Sequence, residues 1–311
     1  HVVFHELKSG NLKLDDEAVI SEKAWKTGGS KMFIEVGKKV KIQDLLKGMI
    51  IQSGNDASIA LAEHIAGSES VFASMMNTQA RKLGMLNTNF VNSSGLPHPD
   101  HYTTAEDIAK VAIATIRNFP EYYSWYSEKD FEFNGIRQSN RNKLLWKDKS
   151  VDGLKTGHTE AAGYCLVSSA KREGMRLLSV VMGTNSMKSR EEESLKLLNY
   201  GFRFFETHKL YSAGDTLSTA KIWKGASDRL PVGINNDLFI TIPRNQYDKL
   251  EASIELNSLI TAPISENQHL GNLIINLSGD TLIEQPLVAL NAVAEGGFFG
   301  NLIDNVMMML E

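Results

Sequence analysis

Apolar residues recur at Ile42, Leu45, Leu46, Met49 and Ile50, the spacing of one buried helix face, and the pattern runs up to Ser53. A second helix is predicted from about Asp56 to Ile65, ended by Gly67. Thr103-Thr-Ala-Glu106 reads as a capping box that opens a helix through Ile116. The period then shortens to that of strands, with Gly163–Ala170 and Met175–Met182 on either side of a Lys171-Arg-Glu-Gly174 turn. Ser189-Arg-Glu-Glu192 is a second capping box, predicting a helix to about Phe205. Beyond it helical spacing stops. Leu238–Pro243, Leu250–Leu256, Leu273–Leu277 and Thr281–Leu290 are short strand-like runs, with Ser278-Gly279-Asp280 as a hairpin turn.

These patterns predict a mixed helix-and-strand domain over 1–205 and a small all-β domain over 206–295. Over 296–311 helical spacing returns. Phe298, Phe299, Leu302, Ile303, Val306, Met307 and Leu310 share one face, opposite Asn301, Asp304 and Asn305. Such a helix lies in a membrane interface or packs on the β-domain or a partner. The stretch has no Lys or Arg, which weakens attraction to anionic lipid.

Composition narrows the function classes. The 311 residues are 42% hydrophobic and 23% charged, as in an ordinary globular protein, and suffice for two domains. A net charge of −4 gives no nucleic-acid footprint. Cys165 is the single cysteine, so no internal disulfide forms. No apolar run is long enough to span a bilayer.

Two triplets carry the candidate chemistry: Ser53-Gly54-Asn55 between two helices, and Lys155-Thr156-Gly157 ahead of the strand hairpin. Taken singly, Ser53, Asn55 and Asp56 read as helix caps, and Lys-Thr-Gly as a common surface tripeptide. Their order, spacing and context agree with two of the three motifs of an active-serine acyl-transfer site. Together they offer hydroxyls, an amide, an ammonium and an open backbone edge, the groups that hold a peptide carbonyl and a carboxylate. Arg190 is expected in the first turn of a helix, where an arginine and a helix N-terminus make an anion site; alone, it reads equally as a surface arginine beside Glu191, Glu192 and Glu193. Arg141 is a second candidate for the carboxylate. His158 reads as a packing residue rather than a base. His98 and His101 lack a third ligand nearby and read as a solvated loop, so no metal is expected. The literal Ser-x-x-Lys matches at Ser168–Lys171 and Ser218–Lys221 fall in strand context, where the lysine is not one helical turn above the serine; neither is a nucleophile motif.

The chain closely resembles the low-molecular-mass penicillin-binding proteins that act as D-alanyl-D-alanine carboxypeptidases. The resemblance rests on Thr27-Gly-Gly-Ser-Lys-Met-Phe33, Ile51-Gln-Ser-Gly-Asn-Asp-Ala57, Phe133-Asn-Gly-Ile-Arg-Gln138, Val151-Asp-Gly-Leu-Lys-Thr-Gly-His158 and Gly201-Phe-Arg-Phe-Phe-Glu206. It implies an α+β penicillin-recognising, transpeptidase/β-lactamase-like domain, an antiparallel sheet flanked by helices, followed by a small all-β domain and an amphipathic membrane anchor. It implies a proton relay at Ser53, a hold on the substrate amide at Asn55 and an electropositive pocket at Lys155. Thr156 is then the contact to the substrate carboxylate, Gly157 completes the motif, and the backbone N–H of His158 joins the oxyanion hole. Arg141 and Arg190 match arginines near the carboxylate. In the family a Ser-x-x-Lys helix leads into the segment that begins here as Val2-Val-Phe-His-Glu-Leu7, so the nucleophilic serine and its lysine are expected upstream.

The implied activity is removal of the terminal D-alanine from peptidoglycan pentapeptides through an acyl-enzyme, with β-lactams as inhibitors and no cofactor. The implied location is the periplasm, at the outer face of the inner membrane, with peripheral contact through 296–311. Two other readings stand beside it: a β-lactamase-like hydrolase on the same fold, and a non-catalytic wall-binding or scaffold protein that keeps the pocket.

Overall fold

The computed structural model describes residues 1–297 together with Asp304 and Met307. The helical face predicted over Phe298–Leu310 lies, apart from Met307, outside the described residues. The Asp304 carboxylate accepts from the backbone N–H of Lys224. The chain divides into two compact units, His1–Arg203 and Phe204–Glu311.

In the first unit, α1 (Val2–Lys8), β1 (Glu17–Val19), α2 (Glu22–Lys26) and β2 (Lys39–Lys41) lead into α3 (Ile42–Gln52) and α4 (Asn55–Ala66). Then come α5 (Glu69–Lys82), α6 (Ala105–Asn118), α7 (Pro120–Tyr123), the hairpin β3 (Asp130–Phe133) and β4 (Ile136–Ser139), and α8 (Leu144–Lys147). The unit closes with β5 (Val151–Thr159), β6 (Gly163–Arg172), β7 (Met175–Thr184) and α9 (Met187–Phe204). The stripe read from the sequence is the buried side of α3: Ile42, Leu45 and Leu46 are fully enclosed. Helix α4 is buried from Asp56 to Ala62. Its run of Ala and Ser lets α2, α3 and α5 pack around it.

Strands β5, β6 and β7 form an antiparallel sheet in that order. Glu173 and Gly174, both at positive φ, make the two-residue turn between β6 and β7, so the strands run further into the predicted turn than expected. Alternate side chains serve opposite faces. Val167 and Leu178 pack into the helical core, whereas Leu177 lies where a side chain at Gly201 of α9 would have to go. Helices therefore cover both faces, the α+β arrangement that the resemblance implied.

The starts of α6 and α9 differ from expectation. Thr104, not Thr103, caps α6, accepting from the N–H of Asp107. At α9 the hydroxyl of Ser186 accepts from the N–H of Ser189, so the helix begins at Met187, ahead of the predicted box. The backbone amide that a Ser189 cap needs free is already within the first turn.

The second unit pairs β8 (Phe205–Tyr211) with β11 (Leu238–Pro243), and sets β9 (Ser218–Lys221), β10 (Arg229–Gly233), β12 (Leu250–Leu256), β13 (His269–Leu277) and β14 (Asp280–Ala289) in a sheet ordered β12-β13-β14-β10-β9. Strand β11 alternates buried and exposed residues. Its Leu238, Ile240 and Ile242 meet Leu273, Ile275 and Leu287 of the larger sheet, which makes an all-β sandwich. No helix among the described residues is long and apolar enough to cross a membrane.

Candidate active site

Helix α3 ends and α4 begins within two residues. Ser53 closes α3 in the left-handed region, at φ 62 and ψ 38, a place usually filled by glycine. The N–H of Gly54 donates back to the carbonyl of Gly48 at 3.1 Å. Asn55, expected in the loop, is instead the first residue of α4. Its backbone N–H donates to Ser30 O at 2.8 Å, and its Nδ2 donates to Gly28 O at 2.9 Å. The approach is so close that a Cβ on Gly29 would sit 2.5 Å from Asn55 Nδ2. A side chain there would have to displace the Asn55 amide, and the φ of +80 would strain it.

The second triplet lies within β5 rather than ahead of the hairpin. Lys155, Thr156, Gly157 and His158 pair in register with Val167, Leu166, Cys165 and Tyr164 of β6. Among the described strands β5 pairs only with β6, so its outer backbone edge stays open to a ligand. Lys155 Nζ donates to Ser53 Oγ, and to Thr156 O at 3.1 Å. That bond joins the two triplets across 102 positions of chain.

Positive charge concentrates here. Burial, and then Arg141 and Arg190, lower Lys155 from the usual lysine value to about 7. Arg141 is exposed; its Nε donates to Gln52 O at 2.9 Å and its N–H to Ile51 O at 3.3 Å. It thereby caps the carbonyls at the end of α3, where a cation is favoured. Arg190 is only 4% exposed, which excludes the surface reading. It stands in the second turn of α9, past the helix N-terminus, so the arginine-plus-helix-end anion site is not formed. Its Nη1 donates to Gly157 O at 3.1 Å and Cys165 O at 3.4 Å, and burial pushes its pKa down. The His158 ring lies 4.0 Å from that of Tyr164, a packing role as read. His98 and His101 hold their own loop: the Nδ1 of each accepts a backbone N–H, from Asp100 and Val91 respectively.

All eight candidate residues line one cleft of about 890 Å³. Ser30, Tyr164 and Cys165 line it too, and none was singled out from sequence. The one available signal was position: Tyr164 and Cys165 face the Lys-Thr-Gly strand across the hairpin. A hydroxyl, a carboxamide, an ammonium and two guanidiniums around an open strand edge are groups able to hold a peptide carbonyl and a carboxylate.

Known proteins agree. The D-alanyl-D-alanine carboxypeptidase family matches residues 1–186, and the penicillin-binding protein 5 C-terminal domain matches residues 205–295. The carboxypeptidase DacA of Escherichia coli (strain K12) is 44% identical over 317 residues, covering 99% of this chain and 79% of the relative. DacF of Bacillus subtilis is 35% identical, covering 96% of this chain and 78% of the relative. The structure of penicillin binding protein 5 from Haemophilus influenzae superimposes with a TM-score of 0.87 at 43% identity, covering 94% of this chain and 87% of that one. The chain belongs to the serine-type D-alanyl-D-alanine carboxypeptidase family.

Proposed function

We propose that this cleft removes the terminal D-alanine from peptidoglycan pentapeptides, and that β-lactams acylate the same site. The observation that carries the reading is the hydrogen bond from Lys155 to Ser53, which couples the two motifs. The serine and lysine expected upstream supply the nucleophile and its base for the acyl bond. Ser53 Oγ passes the released proton toward the leaving amine, and Lys155, hydrogen-bonded to Ser53, keeps the pocket electropositive. Asn55 holds the substrate amide. The open edge of β5 takes the peptide as an added strand, with the His158 N–H completing the oxyanion hole. Thr156 and the guanidiniums of Arg141 and Arg190 receive the terminal carboxylate, and Gly157 leaves room for the chain to lie against the strand. A peptidoglycan substrate supports a periplasmic location at the outer face of the inner membrane, and the apolar face of 296–311 supports peripheral membrane contact there.

The test is intact mass before and after a penicillin, on the full-length gene product and on its Ser53→Ala variant. A stoichiometric adduct that forms much more slowly in the variant supports the reading. No adduct on the unsubstituted protein overturns it in favour of a scaffold that keeps the pocket.

A further inference from the structure

Directly after Ser53-Gly54-Asn55 stands an acid that does not cap its helix in the ordinary way. Asp56 is 1% exposed. One carboxylate oxygen accepts from Met32 N–H at 3.0 Å and from its own neighbour Ala57 N–H at 2.9 Å. The other accepts from Phe33 N–H at 3.0 Å and Ile34 N–H at 3.3 Å. Both oxygens are thus spent on backbone, three of the four bonds on a single distant loop. That loop is the one Asn55 leans on, through Ser30 O and Gly28 O. The clamp adds a direct tie between the start of α4 and the loop whose carbonyls orient the Asn55 amide, beside the core packing of Met32 and Ile34. Phe33 sits at φ 68, an uncomfortable conformation for a bulky residue that needs its surroundings to hold it.

We infer that Asp56 is a positioning residue for acyl transfer: it pins the 28–34 loop to α4, and so fixes the Asn55 carboxamide that leans on that loop. The inference rests on the acyl-transfer reading of this cleft. The chemistry is specific to a carboxylate. An Asn at 56 keeps one acceptor oxygen and turns an NH2 toward two N–H donors. A displacement of about 1 Å at a reacting group costs up to roughly 100-fold in rate.

Fluorescent-penicillin labelling of the full-length protein separates the two quantities that matter. Burst amplitude counts competent sites, and the second-order rate constant describes each site. Lost folding lowers only the amplitude; a misplaced Asn55 lowers the rate constant. Two variants are compared with the parent. Asp56→Asn removes half the clamp. Gly54→Ala keeps the carboxylate but places a Cβ 2.9 Å from Asp56 Oδ1 and 3.3 Å from Met32 N, at a φ of −60 that any residue adopts. The expected result is a fall of roughly 10- to 100-fold in the rate constant of the labelled sites of Asp56→Asn, with a smaller fall for Gly54→Ala. If Asp56→Asn yields no competent sites, Gly54→Ala decides alone. Parental rate constants in the variant sites overturn the positioning role. A parent that does not label at all overturns the acyl-transfer reading, and this inference with it.

Discussion

Alkaline pH should weaken this enzyme's hold on its substrate long before any arginine titrates. Burial and two cationic neighbours hold Lys155 at about 7. By simple titration its charge is then about 90% lost at pH 8 and about 99% lost at pH 9. With that charge keeping the pocket electropositive beside Ser53, kcat/KM falls roughly tenfold per pH unit above 7. A bound carboxylate favours the ammonium form, so kcat falls only at higher pH. Arg141→Gln removes one of the neighbours that depress the lysine, and should move the falling limb of kcat/KM toward alkaline pH. The assay is release of D-alanine from an acylated D-Ala-D-Ala peptide at low substrate, from about pH 6 to about pH 10. A profile flat across that range, or a limb that Arg141→Gln leaves in place, would refute the role given to the lysine's charge.

Other consequences follow for stability. The folded pKa of Lys155 lies below its unfolded value of 10.5, so the unfolded chain binds more protons between about 7 and 10.5, and stability should rise with pH across that window. Lys155→Met should flatten this slope in urea titrations. Thr104→Ala removes the cap on α6 and should cost about 1 kcal/mol, read as a lower urea midpoint. Gly201→Ala meets only the far end of the half-buried Leu177 side chain, which can swing aside, so the ~1 kcal/mol gain in helix propensity should raise the midpoint. Leu166→Ala, at a 1% exposed position of β6, should cost about 2–5 kcal/mol.

Several long elements were legible in the sequence, but the 14-residue α5 and the nine-residue β5 were not. Helices α3, α4 and α6 and the β6–β7 and β13–β14 hairpins carry enough apolar residues for the spacing to declare itself. Strands β1 and β2, of three residues each with a single buried side chain, offer no period to detect. Strand β8 follows α9 without a break, so no turn residue marks the change. The start of α9 was misread because Ser186 and Ser189 are equally good caps in sequence, and only the hydrogen bond between them ranks them. The triplets were legible as chemistry, but the work of Asp56 was not. Its partners stand 22 to 24 positions away, and an acid near a helix start has a bland local explanation.

The left-handed backbone of Ser53 sets activity against durability. A side chain in that region costs roughly 1–2 kcal/mol over glycine, so Ser53→Gly should relax the turn and raise the unfolding temperature. The same change deletes the hydroxyl that Lys155 contacts. A screen for thermal resistance alone would thus favour glycine at position 53 and return a sturdier, slower protein. Under selection for both properties, any gain in robustness has to come from elsewhere in the fold.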